Sequence, residues 1–157
     1  MGRHTSAEEE IRRTLAIYPK SVDDRDSAGF AALFAEDGRI YSSSGVFIGR
    51  VAIKKFLEDL YAARPPDRLF KHMWSNSVIT VHGDTAESTS DILVFECLAE
   101  SPWRMSIVAR HHDRLVRQAD GRWLFSEKRG EGGMFAFRTY APEGFAHPTF
   151  GIEPPPS

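Results

Sequence analysis

The stretch WRMSIVARHHDRLVR, residues 103–117, decides the fold predicted for this chain. Side chains two positions apart share one face of a β-strand. One face of this stretch is largely apolar and carries Trp103, Met105, Ile107, Ala109 and His111, whereas the other carries Arg104, Ser106, Arg110, His112 and Arg114. Such alternation is typical of an antiparallel strand with one buried and one solvated face. We expect the first face to form the wall of a pocket.

The flanking sequence places this strand in a meander. Residues 70–129 divide into four long strands, separated by turn signals at residues 82–84, 100–102 and 119–121. Links this short join neighbouring strands in antiparallel order. The second half of the chain therefore predicts a four-stranded antiparallel sheet.

The first segment of the chain predicts a long amphipathic helix. Ser6 and Glu9 have the spacing of a capping box, in which each side chain binds the backbone N–H of the other residue. Apolar side chains then recur at helical spacing at Ile11, Leu15, Tyr18 and Val22. Because Pro19 removes one backbone hydrogen bond and clashes with the preceding turn, we expect a kink or break near residues 15–19.

A second, shorter helix is predicted after an aspartate-rich junction. Asp26 can cap it, and it ends near residues 36–38. Its apolar stripe consists of Phe30, Leu33 and Phe34. Asp23, Asp24 and Asp26 all lie at this junction, and any of them can serve as the cap.

A hairpin at residues 39–48 and a third helix at residues 51–60 precede the sheet, and Pro65 with Pro66 ends that helix. Helices first and a meander afterwards indicate an α+β domain, with the helices on one side of a curved sheet.

Length and composition suit one globular domain, because the chain has 157 residues, of which 41% are hydrophobic. We assign residues 1–131 to this domain and the aromatic, Gly- and Pro-rich residues 132–157 to a strap of the same domain. A net charge of −2 argues against nucleic-acid binding. Short apolar runs and the lack of a signal-peptide pattern predict a cytoplasmic protein without a membrane span. Cys97, the single cysteine, is expected to be a small buried hydrophobe.

The chemistry-bearing residues point to acid–base catalysis of an apolar molecule. The motifs of nucleotide-binding, zinc-protease and serine-hydrolase sites are absent from the sequence. His72, Trp74 and Asn76 share one strand face by alternation. Together with His111 on the neighbouring wall, they predict a ligand with few polar groups. His111 and Asp113 also have the spacing of a metal-binding pair. A third ligand would have to come from a distance, so we predict no metal and expect Asp113 to pair with an arginine.

Several strings, in this order and spacing, resemble a SnoaL-like domain of the NTF2-like superfamily. They are DDRD at 23–26, LFAEDG at 33–38, GRVAI at 49–53, HMWSN at 72–76, RHHDRLVR at 110–117 and DGRW at 120–123. The resemblance covers roughly residues 6–130. It implies a cone-shaped α+β barrel, in which a curved, mostly antiparallel sheet wraps around the N-terminal helices and encloses a deep apolar pocket.

The resemblance also implies a reaction. Eliminating members of the superfamily, such as scytalone dehydratase, bile-acid dehydratase and hexachlorocyclohexane dehydrochlorinase, share a carboxylate at the end of the first helix and a histidine at the start of the following long strand. Asp23 and His72 occupy these positions, and Tyr18 lies where the bile-acid enzyme has a tyrosine. The additional strand aspartate of that enzyme aligns with Val94, which leaves the substrate open.

On this basis the chain is expected to be a cofactor-independent lyase of the dehydratase type. His72 is the expected base, Asp23 its orienting partner and Tyr18 a third catalytic residue. The expected substrate is a hydrophobic cyclic or aromatic molecule. Its binding residues are expected to be Trp74, Asn76, Met105, His111 and Phe34.

Other readings remain open at this point. An isomerase or a polyketide cyclase would use the same kinds of catalytic residue, because its reaction differs from elimination only in the group that leaves. The same cone also suits a non-catalytic ligand-binding module or the small subunit of a ring-hydroxylating oxygenase. Val108 and Val116 lie among arginines on the outer sheet face, so we expect a homo-oligomer, either a trimer or a dimer.

Overall fold

A computed structural model describes residues 6–42, 44–99 and 101–130 of the chain. Its elements, in chain order, are α1 (Ala7–Asp23), α2 (Ser27–Ala32), β1 (Phe34–Ser42), β2 (Gly45–Ile48), α3 (Arg50–Ala62), β3 (Arg68–His82), β4 (Thr85–Leu98), β5 (Arg104–Arg117) and β6 (Trp123–Gly130). The strap predicted at residues 132–157 lies outside the described residues. Within the described ranges, no helix is long and apolar enough to cross a membrane.

The six strands form one curved, mostly antiparallel sheet in the order β2-β1-β6-β5-β4-β3. The predicted meander is confirmed, because β3, β4, β5 and β6 pair in sequence and antiparallel. The hairpin of β1 and β2 is confirmed as well, and β1 joins the meander by pairing parallel with β6. Helix α1 packs against β3 and β6, so the N-terminal helices lie on one side of the sheet. This is the predicted α+β architecture.

The core lies between α1, the short helices and the inner face of β6. Ile11 and Leu15 of α1 are buried, and Tyr18 contacts Phe30 and Phe125 through its ring. The helix forms because its apolar positions recur at helical spacing, while Ser6 caps it by accepting from the Glu9 backbone N–H at 3.2 Å. Burial of this stripe fixes the helix against the sheet.

Two helix predictions need correction. Of the kink or break predicted near residues 15–19, the break does not occur, because helix α1 continues through Pro19 to Asp23. A proline costs the helix one backbone hydrogen bond, and Pro19 is itself buried against the fold, which offsets that loss. The second helix ends at Ala32 and not near residues 36–38, because Phe34 already begins strand β1.

Two bulges overturn the simple strand alternation used for the pocket prediction. In β3, residues 76 and 77 together face one residue of β4, and Asn76 adopts a positive φ of 52°. In β5, Ser106 is the extra residue. Val94 of β4 pairs with Ile107, and the next residue of β4, Phe95, pairs with Met105, so Ser106 has no partner in the register. An extra residue moves every following side chain to the other face.

Three residues are displaced from the predicted pocket face by these bulges or by the end of a strand. Asn76 is exposed and donates to the Asp91 carboxylate at 3.0 Å. Met105 lies opposite Phe95 on the outer face and is 44% exposed. Trp103 precedes β5 and is 51% exposed. The assignment of these side chains to one face with His72 or His111 was therefore wrong.

Candidate active site

Asp23 and His72 form a hydrogen-bonded pair where the end of α1 meets the inner face of β3. The Nδ1 of His72 lies 2.6 Å from Oδ1 of Asp23. The backbone N–H of His72 donates to both carboxylate oxygens at 3.2 Å, and Nζ of Lys71 lies 3.1 Å from Oδ2. The Asp23 side chain is 6% exposed and that of His72 is 14% exposed. Lys71 and His72, which are adjacent on β3, thus hold the nearly buried carboxylate of Asp23.

The helix junction explains why Asp23 is available for this contact. Asp26, and not Asp23, caps α2, since its Oδ1 accepts from the Gly29 backbone N–H at 2.8 Å. Arg25 adopts a φ of 56° and turns the chain between the two helices. The choice of cap that the sequence left open is thereby decided, and the Asp23 carboxylate is directed to β3.

The hydrogen bonds set the ionisation of Asp23. Burial alone raises its pKa, but hydrogen bonds from the His72 ring, the His72 backbone and Lys71 outweigh burial and lower the pKa. The carboxylate is therefore ionised at neutral pH and accepts from Nδ1. Since Nδ1 is engaged, Nε2 is the ring nitrogen of His72 that remains to take up a proton.

The inner face beside His72 is apolar. Val94 of β4 lies directly opposite His72 in the register. Around it is a cluster of buried or partly buried side chains: Phe70, Trp74, Ile92, Val94, Ile107 and Ala109. An apolar wall next to one polar pair is the usual composition of a small-molecule site.

A buried ion pair, missed by the sequence analysis, lies deeper in the fold. Nζ of Lys128 is 2.9 Å from Oδ2 of Asp113, and both side chains are almost fully buried. The same ammonium lies 4.1 Å from the ring centres of Tyr18 and Trp74 and 4.5 Å from that of Phe125. Cations are attracted to aromatic faces at these distances. The ammonium is thus held by one carboxylate and three rings.

The partner of Asp113 is a correction to the predicted arginine. Asp113 and Lys128 lie directly opposite each other in the register of β5 and β6. Phe125 and Lys128 are three residues apart, so simple strand alternation would place them on opposite faces of the sheet. A register shift in β6 between these two residues places both side chains on the inner face instead. Burial lowers the pKa of Lys128 and raises that of Asp113, and each charge opposes the shift of its partner.

His111 extends this polar interior towards the dyad. Its ring contacts Trp74 edge-on, with 4.9 Å between the ring centres, and lies beside Gly130 of β6. Within the described ranges, the buried Nδ1 of His111 and Nε1 of Trp74 have no hydrogen-bond partner. Buried polar groups are rarely unpaired in native proteins, so these two atoms are exceptions within the interior.

The ionisation of His111 gives a direct test of this environment. Burial, the charge of Lys128 and the neighbouring His72 and His112 lower its pKa well below 6.5. We therefore expect His111 to stay neutral at pH 7 in the folded protein and to titrate near 6.5 when the protein is unfolded in urea. Nitrogen-15 NMR of the imidazole rings measures both states. Titration of folded His111 at or above its ordinary value would contradict the buried placement.

The remaining predicted site residues divide into two groups. Tyr18 is 8% exposed and lies against Trp74, with 5.2 Å between the ring centres, so it belongs to the interior that holds His111 and Lys128. Burial, followed by the Asp113 charge, raises the pKa of Tyr18, which keeps the phenol neutral. Phe34 is fully buried between Phe30 and Phe125 in the core and presents no surface to a ligand. Phe34 belongs to the core cluster and not to the apolar wall beside His72, so it is not part of the binding site proposed below.

A groove of about 420 Å³ lies away from the dyad, across β4, β5 and β6. Its lining includes Glu87, His112, Arg114, Glu127 and Arg129, and neither Asp23 nor His72 contributes to it. A charged lining does not suit an apolar ligand.

In the described part of the chain, no group of three His, Cys, Asp or Glu side chains could hold a metal ion. Cys97 is a free, buried thiol, as predicted.

The fold is that of the NTF2-like class. The model of the SnoaL-like domain family matches residues 3–129, and the chain belongs to this family. A search of curated proteins gave no significant match.

Solved structures share this fold over most of the chain. ActVI-ORFA from Streptomyces coelicolor is 27% identical with a TM-score of 0.71, and the match covers 79% of this chain and 93% of that one. An NTF2-like protein with a cystatin-like fold from Novosphingobium aromaticivorans is 25% identical with a TM-score of 0.72, covering 79% and 80%. A protein from Catenulispora acidiphila, solved in complex with S-DNPA, is 23% identical with a TM-score of 0.71, covering 79% and 91%.

Proposed function

We propose that this chain is a lyase that needs no cofactor and eliminates water from a hydrophobic cyclic or aromatic molecule. The observation that carries the proposal is the 2.6 Å contact between Asp23 and His72 at the edge of an apolar wall. A carboxylate on Nδ1 fixes the ring tautomer and stabilises the imidazolium that forms when Nε2 takes a proton. This is the arrangement of a general base with an orienting partner.

The proposed reaction is a proton abstraction followed by loss of hydroxide. Nε2 of His72 removes a proton from the carbon beside a carbonyl or aromatic ring. The electron pair of that C–H bond forms the new C=C bond, and the C–O bond to the leaving hydroxyl breaks. The proton then goes from His72 to the leaving oxygen, so that water departs and the histidine is neutral again. No external oxidant or reductant is needed.

His111 and Trp74 complete the proposal as binding residues. Because His111 is neutral, each of its ring nitrogens is either a donor or an acceptor. We assign the unpaired Nδ1 of His111 and Nε1 of Trp74 to oxygen atoms of the substrate. Donors that face the oxygen on which negative charge develops stabilise the transition state. Tyr18, beside Trp74, holds that ring in place.

The test uses a pair of matched histidine variants on β3. A panel of cyclic β-hydroxyketones is incubated with the protein in D₂O, and mass spectrometry detects loss of water and uptake of deuterium. We expect His72→Gln to lower the rate by about 10²–10⁴-fold, the usual contribution of a positioned general base. His82→Gln, at an exposed position of the same strand, should leave it unchanged. Equal rates in both variants would remove His72 from the chemistry.

The same experiment separates the alternatives. Deuterium uptake without loss of water indicates an isomerase or a cyclase. Ligand binding that is equal in wild type and His72→Gln, without deuterium uptake in either, indicates a binding module. Co-purification with a larger iron–sulfur protein would instead favour the small subunit of a ring-hydroxylating oxygenase.

A further inference from the structure

Two arginines lie over the ring of Phe70 at the start of β3, and a third arginine shares the Glu96 carboxylate with one of them. We call Arg64, Arg68 and Arg104 the arginine rim. Arg64 follows α3, Arg68 begins β3 and Arg104 begins β5. The Cζ atom of Arg64 lies 4.2 Å from the Phe70 ring centre and that of Arg68 lies 5.3 Å from it. The rim is therefore built on the same side chain that begins the apolar wall.

One buried carboxylate serves two of these arginines. Glu96 of β4 lies directly opposite Phe70 in the register. Its Oε2 accepts from Arg68 at 2.7 Å, and its Oε1 accepts from Arg104 at 2.9 Å. Both oxygens of Glu96 are thus engaged by guanidinium groups, which also lowers the pKa of this carboxyl against the effect of its burial.

Arg64 is left without an anion of its own. It is partly buried, and among the described residues no carboxylate forms an ion pair with it. Burial lowers the pKa of Arg64, and the positive charges of Arg68 and Arg25 act in the same direction, while Tyr61 and the charge of Glu96 oppose them without reversing the shift. A guanidinium in a desolvated place beside other cations is stabilised when an anion binds.

The position of the rim relates it to the reaction. Phe70 and His72 are two residues apart on the same face of β3, which is about 7 Å along a strand. Tyr61, whose hydroxyl donates to the Val22 carbonyl beside Asp23, lies in the electrostatic field of both Arg64 and Asp23. A ring held against Val94 can therefore reach His72 with its reacting carbon and Arg64 with a substituent.

We propose that the arginine rim binds a carboxylate of the substrate, so that the ligand is a hydrophobic ring carrying an acidic side arm. The planar guanidinium of Arg64 matches a carboxylate with two parallel hydrogen bonds. The apolar part then lies along Phe70, Val94 and Ile107. This inference rests on the proposed function, because it deepens the description of the substrate at the same site.

The test compares two probes of equal size on the full chain. Naphthylacetic acid and naphthylacetamide differ in charge but share the apolar ring. Isothermal titration calorimetry at low salt is expected to show at least about 10-fold tighter binding of the acid, because hydrogen bonds to charged groups are the strong ones. Arg64→Met keeps the packing on Phe70 and should abolish this preference without weakening the amide. Arg13→Met removes the same charge from an exposed position of α1 and should leave the preference intact.

The outcomes separate this inference from the proposed function. Equal affinity for acid and amide, no binding of the acid, or a preference that survives Arg64→Met would each overturn the rim as an anion site. If elimination depends on His72 but the protein binds the acid no more tightly than the amide, only this inference is removed and the proposed function stands. An acid preference that depends on Arg64 in a protein without any elimination activity would support the rim and remove the lyase.

Discussion

Replacing Lys128 by methionine is expected to lower the free energy of unfolding by about 3–5 kcal/mol, because Asp113 then keeps a buried charge without its partner. A domain is typically stable by about 5–15 kcal/mol in total, so the variant should be close to unfolding. Urea denaturation followed by circular dichroism measures the change.

Two further variants identify the cause of that loss. The double variant Lys128→Met with Asp113→Leu should recover most of the stability, because buried ion pairs can be replaced by apolar side chains at little cost. Lys55→Met removes one partner of the exposed Lys55–Asp59 pair and should leave stability almost unchanged, because exposed ion pairs contribute little. The explanation fails if Lys128→Met is no more harmful than Lys55→Met, or if the double variant is as unstable as the single one.

Asp23→Asn is expected to reduce the proposed elimination by about 10²–10⁴-fold while the protein stays folded. Asparagine has the shape of aspartate but not its charge, so it neither stabilises the imidazolium nor fixes the tautomer of His72. Steady-state kinetics should show the loss mainly in kcat. Asp26→Asn is the matched control, because asparagine caps a helix as well as aspartate does. Equal activity of the two variants would contradict the orienting role of Asp23.

The pH dependence of stability gives a second readout for Asp23. Its pKa in the folded protein is lowered by the hydrogen bonds from His72 and Lys71, which outweigh burial. A carboxyl with a lowered pKa stabilises the fold fully above its ordinary pKa of 3.8, and this contribution is lost as the pH falls below 3.8 and through the lower pKa of the folded state. The wild-type protein should therefore be more stable than Asp23→Asn at neutral pH. This difference in the free energy of unfolding should shrink when the pH falls below the ordinary pKa of aspartate. A difference that is constant with pH would contradict the ionised pair.

Local patterns in the sequence were sufficient for the helices, the hairpin and the meander, but not for the parallel pairing of β1 with β6. The helical spacing of Ile11 and Leu15, the cap at Ser6 and the turn signals between the strands each concern residues close together in the chain. The pairing of Asp23 with His72 was expected from the family resemblance alone, since alternation and spacing left three aspartates as equivalent caps. The structure adds the reason for the choice, because Asp26 takes the cap.

The bulges could not be predicted from the sequence, for a physical reason. A bulge changes the face of every residue beyond it, yet it depends on how two distant strands fit together. Asn76 and Met105 were therefore placed on the wrong face, and Lys128 was not recognised as an interior residue.

The sequence by itself determined the class of fold and the order of its elements, and the family resemblance predicted the pairing of Asp23 with His72. Only the tertiary structure decided the interior that surrounds the dyad: the Lys128–Asp113 pair, the unpaired His111 nitrogen and the arginine rim beside Phe70. These contacts join residues from three or more elements. Their energies come from burial and charge, which depend on the packed surroundings and not on the neighbours in the chain.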